Sequence, residues 1–130
     1  MDEFMHREYI LDHAENQRNH GLLDPADIHR EVANPLCGDR LTLTLQVNNN
    51  GCISAVGWEG EGCAISQAAA SMLGEAILGI SVDEAFQVTR EDVLNMIGIS
   101  LTLNRVKCAL LSLKALHEGI EIYRQTIPKG

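Results

Sequence analysis

Alternating apolar and polar positions define the centre of the chain. Between residues 40 and 47 aliphatic residues fall on one side of an extended backbone and polar residues on the other, as in a half-buried strand. The aliphatic set is Leu41, Leu43, Leu45 and Val47. Asparagines and a glycine at 48–51 predict a hairpin turn, because both residue types tolerate positive φ. Residues 52–58 are the predicted returning strand, ended by a glycine-rich break at 60–62, and a shorter extended stretch is predicted at 29–33.

Helical periodicity predicts the other elements. Apolar residues recur at helical spacing over 3–17, and the alanine-rich segment 64–78 predicts a second helix. Ser81 and Thr89 are each followed three residues later by a carboxylate, which predicts two short capped helices. The last element is predicted as one long, mostly buried helix over 102–125, with a narrow polar strip.

Length and charge narrow the class of protein. The 130 residues suit one compact domain, and the absence of repeats or a second boundary predicts a single domain over 1–130. Acidic residues outnumber basic ones 18 to 10, and the formal charge of −8 disfavours nucleic acid and anionic lipid as partners. No run approaches the ~20 apolar residues of a membrane helix, and the N-terminus lacks the charge order of a signal peptide. We therefore expect a soluble cytoplasmic protein without a nucleic-acid or membrane partner.

The four cysteines carry the candidate chemistry. In a reducing compartment such residues are more often metal ligands, catalytic thiols or core residues than disulfides. Cys37 lies in the turn before the first long strand, where Gly38 lets the backbone aim Cys37 and Asp39 at one point. Cys63 stands where the glycine-rich loop enters a helix, whose free N–H groups and dipole favour a thiolate. Cys108 lies about two turns into the last helix.

Three cysteines on three elements, with a carboxylate beside one, have the chemistry of a tetrahedral zinc or iron–sulfur site. Three thiolates and one carboxylate would leave a net charge of about −2 on Zn²⁺ or a [2Fe–2S]²⁺ core, which Arg105 and Lys107 beside Cys108 are placed to offset. Spacing alone supports the alternative, that these cysteines are simply core residues, at least as well. No CxxC pair is present, and free cysteines are commonly buried in cores. Cys52 is expected to be such a core residue. Arg105 and Lys107 are interpreted equally well as solvated charges on a helix.

Three segments resemble the signature blocks of the IscU/SufU/NifU N-terminal family of iron–sulfur cluster assembly scaffolds. They are Asn-Pro-Leu-Cys-Gly-Asp at 34–39, Gly-Glu-Gly-Cys-Ala-Ile-Ser at 60–66 and Arg-Val-Lys-Cys-Ala at 105–109. Residues 12–21 also resemble that family's opening helix. The resemblance implies an α+β fold: a three-stranded antiparallel sheet packed against several helices, with a long C-terminal helix. It implies that the ligands of zinc or a [2Fe–2S] cluster are Cys37, Asp39, Cys63 and Cys108.

The resemblance also implies a function. In this family a cysteine desulfurase delivers sulfur as a persulfide, iron is added, and the cluster passes to acceptor proteins. The chain is thus expected to be a scaffold rather than an enzyme, as a monomer or weak homo-oligomer, with sulfur transfer as an accompanying activity. Two alternatives stay open: a zinc-dependent sulfur acceptor of SufU type that stimulates a desulfurase, and a purely structural zinc domain.

The block at 105–109 and its surroundings share features with both the IscU and the SufU branches of the family. Lys107 replaces the histidine that IscU-type members place before the last cysteine, and the Arg105-x-Lys107-Cys108 block is similar to the SufU type. Yet the 44 residues between Cys63 and Cys108 are too few for the usual SufU insertion. Residues 101–107 also lack the double-proline chaperone-recognition motif of IscU proteins.

Roles can be assigned within the predicted ligand set. Asp39, a hard oxygen ligand in a soft site, is expected to be the labile ligand at which the cluster is released. Cys108 is the candidate persulfide acceptor, because adjacent cations lower a thiol's pKa, and Cys63 is the rival. None of the five histidines lies in a nucleophile–base motif, and His117 falls half a helical turn from Cys108, so it is not expected to share its metal.

Overall fold

A three-stranded antiparallel sheet forms the centre of the computed structural model, which describes residues 3–35 and 38–126. The strands are β1 (Ile28–Asn34), β2 (Asp39–Val47) and β3 (Ile53–Glu61), in the order β1-β2-β3. The predicted strands and hairpin are confirmed. The predicted end of the returning strand is wrong, because Gly60 pairs with Leu41 and the ladder continues to Glu61.

Within the described ranges, 3–35 and 38–126, six helices accompany the sheet. They are α1 (Glu3–Glu15), α2 (Ala64–Ile77), α3 (Val82–Phe86), α4 (Arg90–Ile97), α5 (Leu103–Ala109) and α6 (Leu111–Thr126). Ser81 and Thr89 both cap as predicted: each hydroxyl accepts a hydrogen bond from the backbone N–H three residues on, and the carboxylate there accepts one in return. The α+β fold class with a long C-terminal helix is confirmed.

The prediction of a single C-terminal helix over 102–125 is wrong in one respect, because the structure divides this segment into two helices at Leu110. Leu110 has φ −92° and ψ 0°, outside the helical region, and separates α5 from α6. Both parts contact α2, but their other partners differ: α5 lies against α4, whereas α6 covers β1 and β2. The change of direction at Leu110 lets each helix meet its own surface.

Two apolar clusters hold these elements in place. The larger lies between the sheet and the helices, and its fully buried members include Trp58, Leu45, Leu116 and Ile120. The smaller joins α1, α2, α4 and α5 and contains Ile10, Ala68, Ala69, Met72, Ile97 and Ala109. Each large aliphatic side chain so buried contributes about 1.5–3 kcal/mol, so α2, which packs in both clusters, is firmly positioned. Cys52, expected in the core, is instead half-buried just before β3.

A buried polar contact ties α1 to α2. His13 is 1% exposed, and its Nδ1 lies 2.7 Å from the Ser71 hydroxyl. The same hydroxyl accepts a hydrogen bond from the backbone N–H of Arg18 at 2.9 Å, which leaves its proton to donate to His13. Burial, aided by the charge of Arg18, lowers the pKa of His13 below its ordinary value. His13 is therefore held neutral.

Among the helices of residues 3–35 and 38–126, none combines the length and the apolar character needed to cross a bilayer.

Candidate metal centre

Three of the four predicted ligands converge. One ligand atom from each of Asp39, Cys63 and Cys108 lies within 4.8 Å of the others. They come from the start of β2, the residue preceding α2, and the end of α5. Cys37, the fourth predicted ligand, lies outside the described residues.

Two glycines place the Asp39 carboxylate, which is 3% exposed. Gly38 has φ +72°, and its N–H donates to the Asn34 carbonyl at 2.9 Å, which closes the tight turn that the sequence predicts before β2. Gly62 has φ +145°, and a Cβ there would overlap the Asp39 carboxylate. The sequence pattern indicated Gly62 only as part of a glycine-rich break in a strand. A glycine directly before Cys63 was the sequence feature that could have indicated this close contact with Asp39.

Cys63 is the N-cap of α2, with extended dihedrals of φ −72° and ψ 163°. Its backbone N–H donates to Asp39 Oδ1 at 3.3 Å, and its Sγ lies 3.6 Å from Asp39 Oδ2. The Ser66 hydroxyl donates to the Cys63 carbonyl at 3.0 Å and secures the first turn of the helix. Cys63 as a whole is half-buried.

Cys108 is more enclosed. Its exposure is 2%, and the adjacent Ala109 is fully buried in the smaller apolar cluster. The helix that carries it, α5, is capped at its N-terminus by Thr102, whose hydroxyl accepts a hydrogen bond from the Arg105 N–H at 3.4 Å. Cys108 therefore forms the inner wall of the centre, with Cys63 nearer to solvent.

The two predicted supporting cations occupy different places. The Arg105 guanidinium donates a hydrogen bond to the Cys63 sulfur, and this bond with the charges of Cys63, Cys108 and Asp39 raises the pKa of Arg105. Lys107 is exposed and lines a groove beside Asn34 and Pro35. Only Arg105 thus directly contacts one of the three converging side chains described here.

The donor set fits a thiophilic tetrahedral metal. Ligands at about 2.3 Å (sulfur) and about 2.1 Å (oxygen) on one tetrahedral ion are about 3.6 Å apart. The Cys63 Sγ to Asp39 Oδ2 separation is also 3.6 Å. Two thiolates favour zinc or an iron–sulfur cluster over Mg²⁺ or Ca²⁺, and the three acidic groups together supply a charge that such a metal neutralises. The pair is already at the spacing that a shared metal requires.

Histidines lie outside this group of three residues. His117, not expected to be a ligand, has its Nε2 2.9 Å from the Val88 carbonyl and its ring against Phe86. His13 faces Ser71 in the interior. The described part of the centre is thus made of sulfur and carboxylate ligands.

Known proteins are similar to this chain in sequence and in fold. Residues 5–129 match the family model described as NifU-like N terminal domain. The chain is 35% identical to the zinc-dependent sulfurtransferase SufU of Bacillus subtilis (strain 168), over 89% of each chain. It is 36% identical to the iron–sulfur cluster assembly scaffold protein IscU of Thermotoga maritima, over 92% of this chain and 94% of that protein.

A solved structure confirms the likeness in three dimensions. It is the crystal structure of an iron–sulfur cluster assembly scaffold protein for the SUF system from Fervidobacterium islandicum AW-1. The TM-score is 0.75 at 29% identity, over 92% of this chain and 99% of that one.

Proposed function

Because this chain belongs to the NifU-like N-terminal domain family, we propose that it is an iron–sulfur cluster assembly scaffold. It accepts sulfur from a cysteine desulfurase, binds iron, and transfers the nascent cluster to acceptor proteins. The observation that carries the proposal is the convergence of Asp39, Cys63 and Cys108, with ligand atoms within 4.8 Å of one another. The cluster is the cargo of such a protein, so the chain acts as a scaffold and not as an enzyme.

Sulfur transfer requires one accessible thiolate. A cysteine of this chain attacks the outer sulfur of the desulfurase persulfide, a new S–S bond forms here, and the donor cysteine leaves as a thiolate. Reduction of the transferred sulfur to sulfide then takes electrons from an external donor such as a reduced ferredoxin or a thiol.

Two cysteines compete for the role of acceptor. The sequence favours Cys108, but its side chain is 2% exposed. Cys63 is half-buried, sits at a helix N-terminus and receives the Arg105 hydrogen bond, all of which suit a reactive thiolate. The geometry therefore supports Cys63. Mass spectrometry after incubation with a desulfurase and cysteine locates the added sulfur atom; its presence on Cys108 alone would return the role to that residue.

Asp39 keeps its proposed role as the releasing ligand. Its carboxylate is a hard ligand in a soft site, and it already has an alternative partner in the Cys63 backbone N–H. When a cluster leaves, that N–H still provides the buried carboxylate with one hydrogen bond. Release at Asp39 therefore leaves its carboxylate partly satisfied.

A second function is favoured by a specific observation. The chain is as similar to a zinc-dependent sulfurtransferase as to a scaffold, and its Arg105 contacts Cys63. In this alternative Zn²⁺ stays bound, and the chain accepts sulfur and stimulates the desulfurase. Asp39, Cys63 and Cys108 would hold the zinc, with Cys37 as the predicted fourth ligand.

Anaerobic purification followed by metal and sulfide analysis separates these functions. A scaffold, incubated with desulfurase, cysteine, a reductant and ferrous iron, gains equal amounts of iron and sulfide and a visible charge-transfer absorption. Cys63→Ser abolishes this gain, whereas Cys52→Ser, outside the centre, does not. Tightly held zinc with stimulation of desulfurase turnover would favour the alternative. Unfolding on metal removal, with sulfur transfer unaffected by either Cys63→Ser or Cys108→Ser, would contradict both and leave a structural zinc domain.

A further inference from the structure

A surface groove of about 280 Å³ lies beside the candidate metal centre, between the end of β1 and the junction of α5 with α6. Ala33 and Pro35 line one side, and Leu110 and Leu111 line the other. The groove adjoins the centre along the chain on both sides: β1 ends opposite Asp39, and α5 ends just after Cys108. A segment bound there would sit next to the site of sulfur and metal exchange.

Two lysines give the groove an unusual charge. Lys107 and Lys114 both line it, and both are exposed. The chain as a whole has a formal charge of −8, so a cationic patch is contrary to its overall surface. A wholly acidic partner would be repelled elsewhere and attracted here.

The ion pairs of the described residues sharpen this contrast. Five cations are paired with carboxylates: Arg7, Arg18, Arg30, Arg40 and Arg124. Arg105 faces Cys63. Within 3–35 and 38–126, the cations for which no carboxylate partner is found are Arg90, Lys107 and Lys114, and two of these three flank one apolar groove.

We propose that this groove docks an extended acidic segment of a partner protein, with one aliphatic side chain entering between the two lysines. The aliphatic group would cover the exposed Ala33 and Pro35 and the partly exposed Leu110, whose apolar surface favours burial. Carboxylates on either side of it would meet Lys107 and Lys114. The lysine stems can pack along the bound segment while their ammonium groups pair with it. Docking here would orient the partner toward the neighbouring centre.

The test uses the whole chain and needs neither metal nor sulfur, so its result is independent of the proposed function. An acetylated, amidated five-residue peptide with a central leucine and four glutamates is titrated into ¹⁵N-labelled protein at low ionic strength. We expect amide shifts confined to the end of β1 and the start of α6. Two control peptides replace the leucine with serine or the glutamates with lysines, and both should bind at least about fivefold more weakly.

Variants locate the site. Lys107→Glu/Lys114→Glu should weaken binding by about tenfold or more, because two favourable surface pairs become repulsive. Ala33→Glu adds a carboxylate to the opposite wall and should weaken binding without removing a lysine. Arg90→Glu reverses a single charge on α4, away from the groove, and should leave affinity within about twofold. Equal weakening by Arg90→Glu, equal binding of either control peptide, or shifts located elsewhere would overturn the proposal.

Discussion

Two polar regions of this molecule are comparably buried and differ in what satisfies them. Around His13 the partners are all supplied by the fold: the Ser71 hydroxyl serves both the imidazole and the Arg18 N–H. Around Asp39 a carboxylate and two thiols lie within 4.8 Å, with Arg105 as the contacting cation described there. The first arrangement is complete and electrically neutral, whereas the second gathers acidic groups that a metal would neutralise. One region secures the structure, and the other is suited to binding.

Substituting one residue in each region should give the largest expected contrast between effects on metal binding and effects on stability. Cys63→Ser should weaken zinc or cluster binding at least about 100-fold, because a soft thiolate ligand is lost. It should change the free energy of unfolding by no more than about 1 kcal/mol, since Cys63 is half-buried. Ser71→Ala should do the reverse: about 1–3 kcal/mol of stability is lost as His13 and the Arg18 N–H lose their partner, with metal binding retained. Chelator competition and urea unfolding measure the two effects.

The comparison would fail if both substitutions acted alike. Loss of metal binding in Ser71→Ala would mean that the α1–α2 contact also shapes the centre. A strongly destabilised Cys63→Ser apoprotein would mean that the thiol itself, rather than its metal, supports the fold. Cys52→Ser is the neutral control for both measurements.

The second prediction concerns release from the centre. Asp39→Cys replaces the hard oxygen ligand with a thiolate and should slow cluster transfer to an apo-ferredoxin by about tenfold or more. The rate is followed by the visible absorption or circular dichroism of the recipient. Unchanged transfer would show that Asp39 is not the ligand that makes the site exchangeable.

Local sequence patterns were sufficient where short-range chemistry decides the structure. The hairpin depends on asparagines and a glycine in four consecutive residues, and the capping boxes at Ser81 and Thr89 depend on a carboxylate three residues away. Both were predicted and are confirmed. The division at Leu110 could not be predicted in this way, because apolar residues continue at helical spacing on both sides of it. It follows from the different surfaces that α5 and α6 cover.

The candidate metal centre shows the same limit of local sequence patterns. Asp39, Cys63 and Cys108 are too distant in sequence for a local rule to join them, and spacing alone left inert core cysteines as a strong alternative. The resemblance in three short blocks supplied what spacing could not, and the structure brings the three residues together. The Arg105 contact with Cys63 and the clearance at Gly62 arise from tertiary packing. The ligand roles of Cys37, Asp39, Cys63 and Cys108 and the domain bounds stay predictions.

A third prediction tests the clearance at Gly62. Gly62→Ala places a Cβ on the Asp39 carboxylate and forces φ +145° on a residue with a side chain. We expect a loss of about 1–3 kcal/mol in unfolding free energy and weaker metal binding. Gly51→Ala is the matched control, since it also has positive φ, +76°, but open space around the added carbon. Metal binding should fall in Gly62→Ala alone; an equal fall in Gly51→Ala would mean that the displacement of Asp39 is not the cause.

The smallest expected effect is a pH dependence of the His13 region. Burial lowers the pKa of His13, with the charge of Arg18 acting in the same direction and those of Glu75 and Asp12 against it. The unfolded chain, with a histidine pKa of about 6.5, therefore binds more protons than the folded chain in mildly acidic solution. The stability from neutral His13 is fully present above about pH 6.5 and should decline as the pH falls below it toward the lowered pKa of the folded state.

Urea unfolding of the metal-free protein between pH 8 and pH 5 checks this dependence. His13→Gln should be less stable at neutral pH, because it disturbs the contact with Ser71, and should show a flatter pH profile. His29→Gln, at an exposed position on β1, should keep the slope of the unmodified chain. If His13→Gln retained the full slope, protonation of another group would be responsible, and the neutral character assigned to the His13 region would have to be given up.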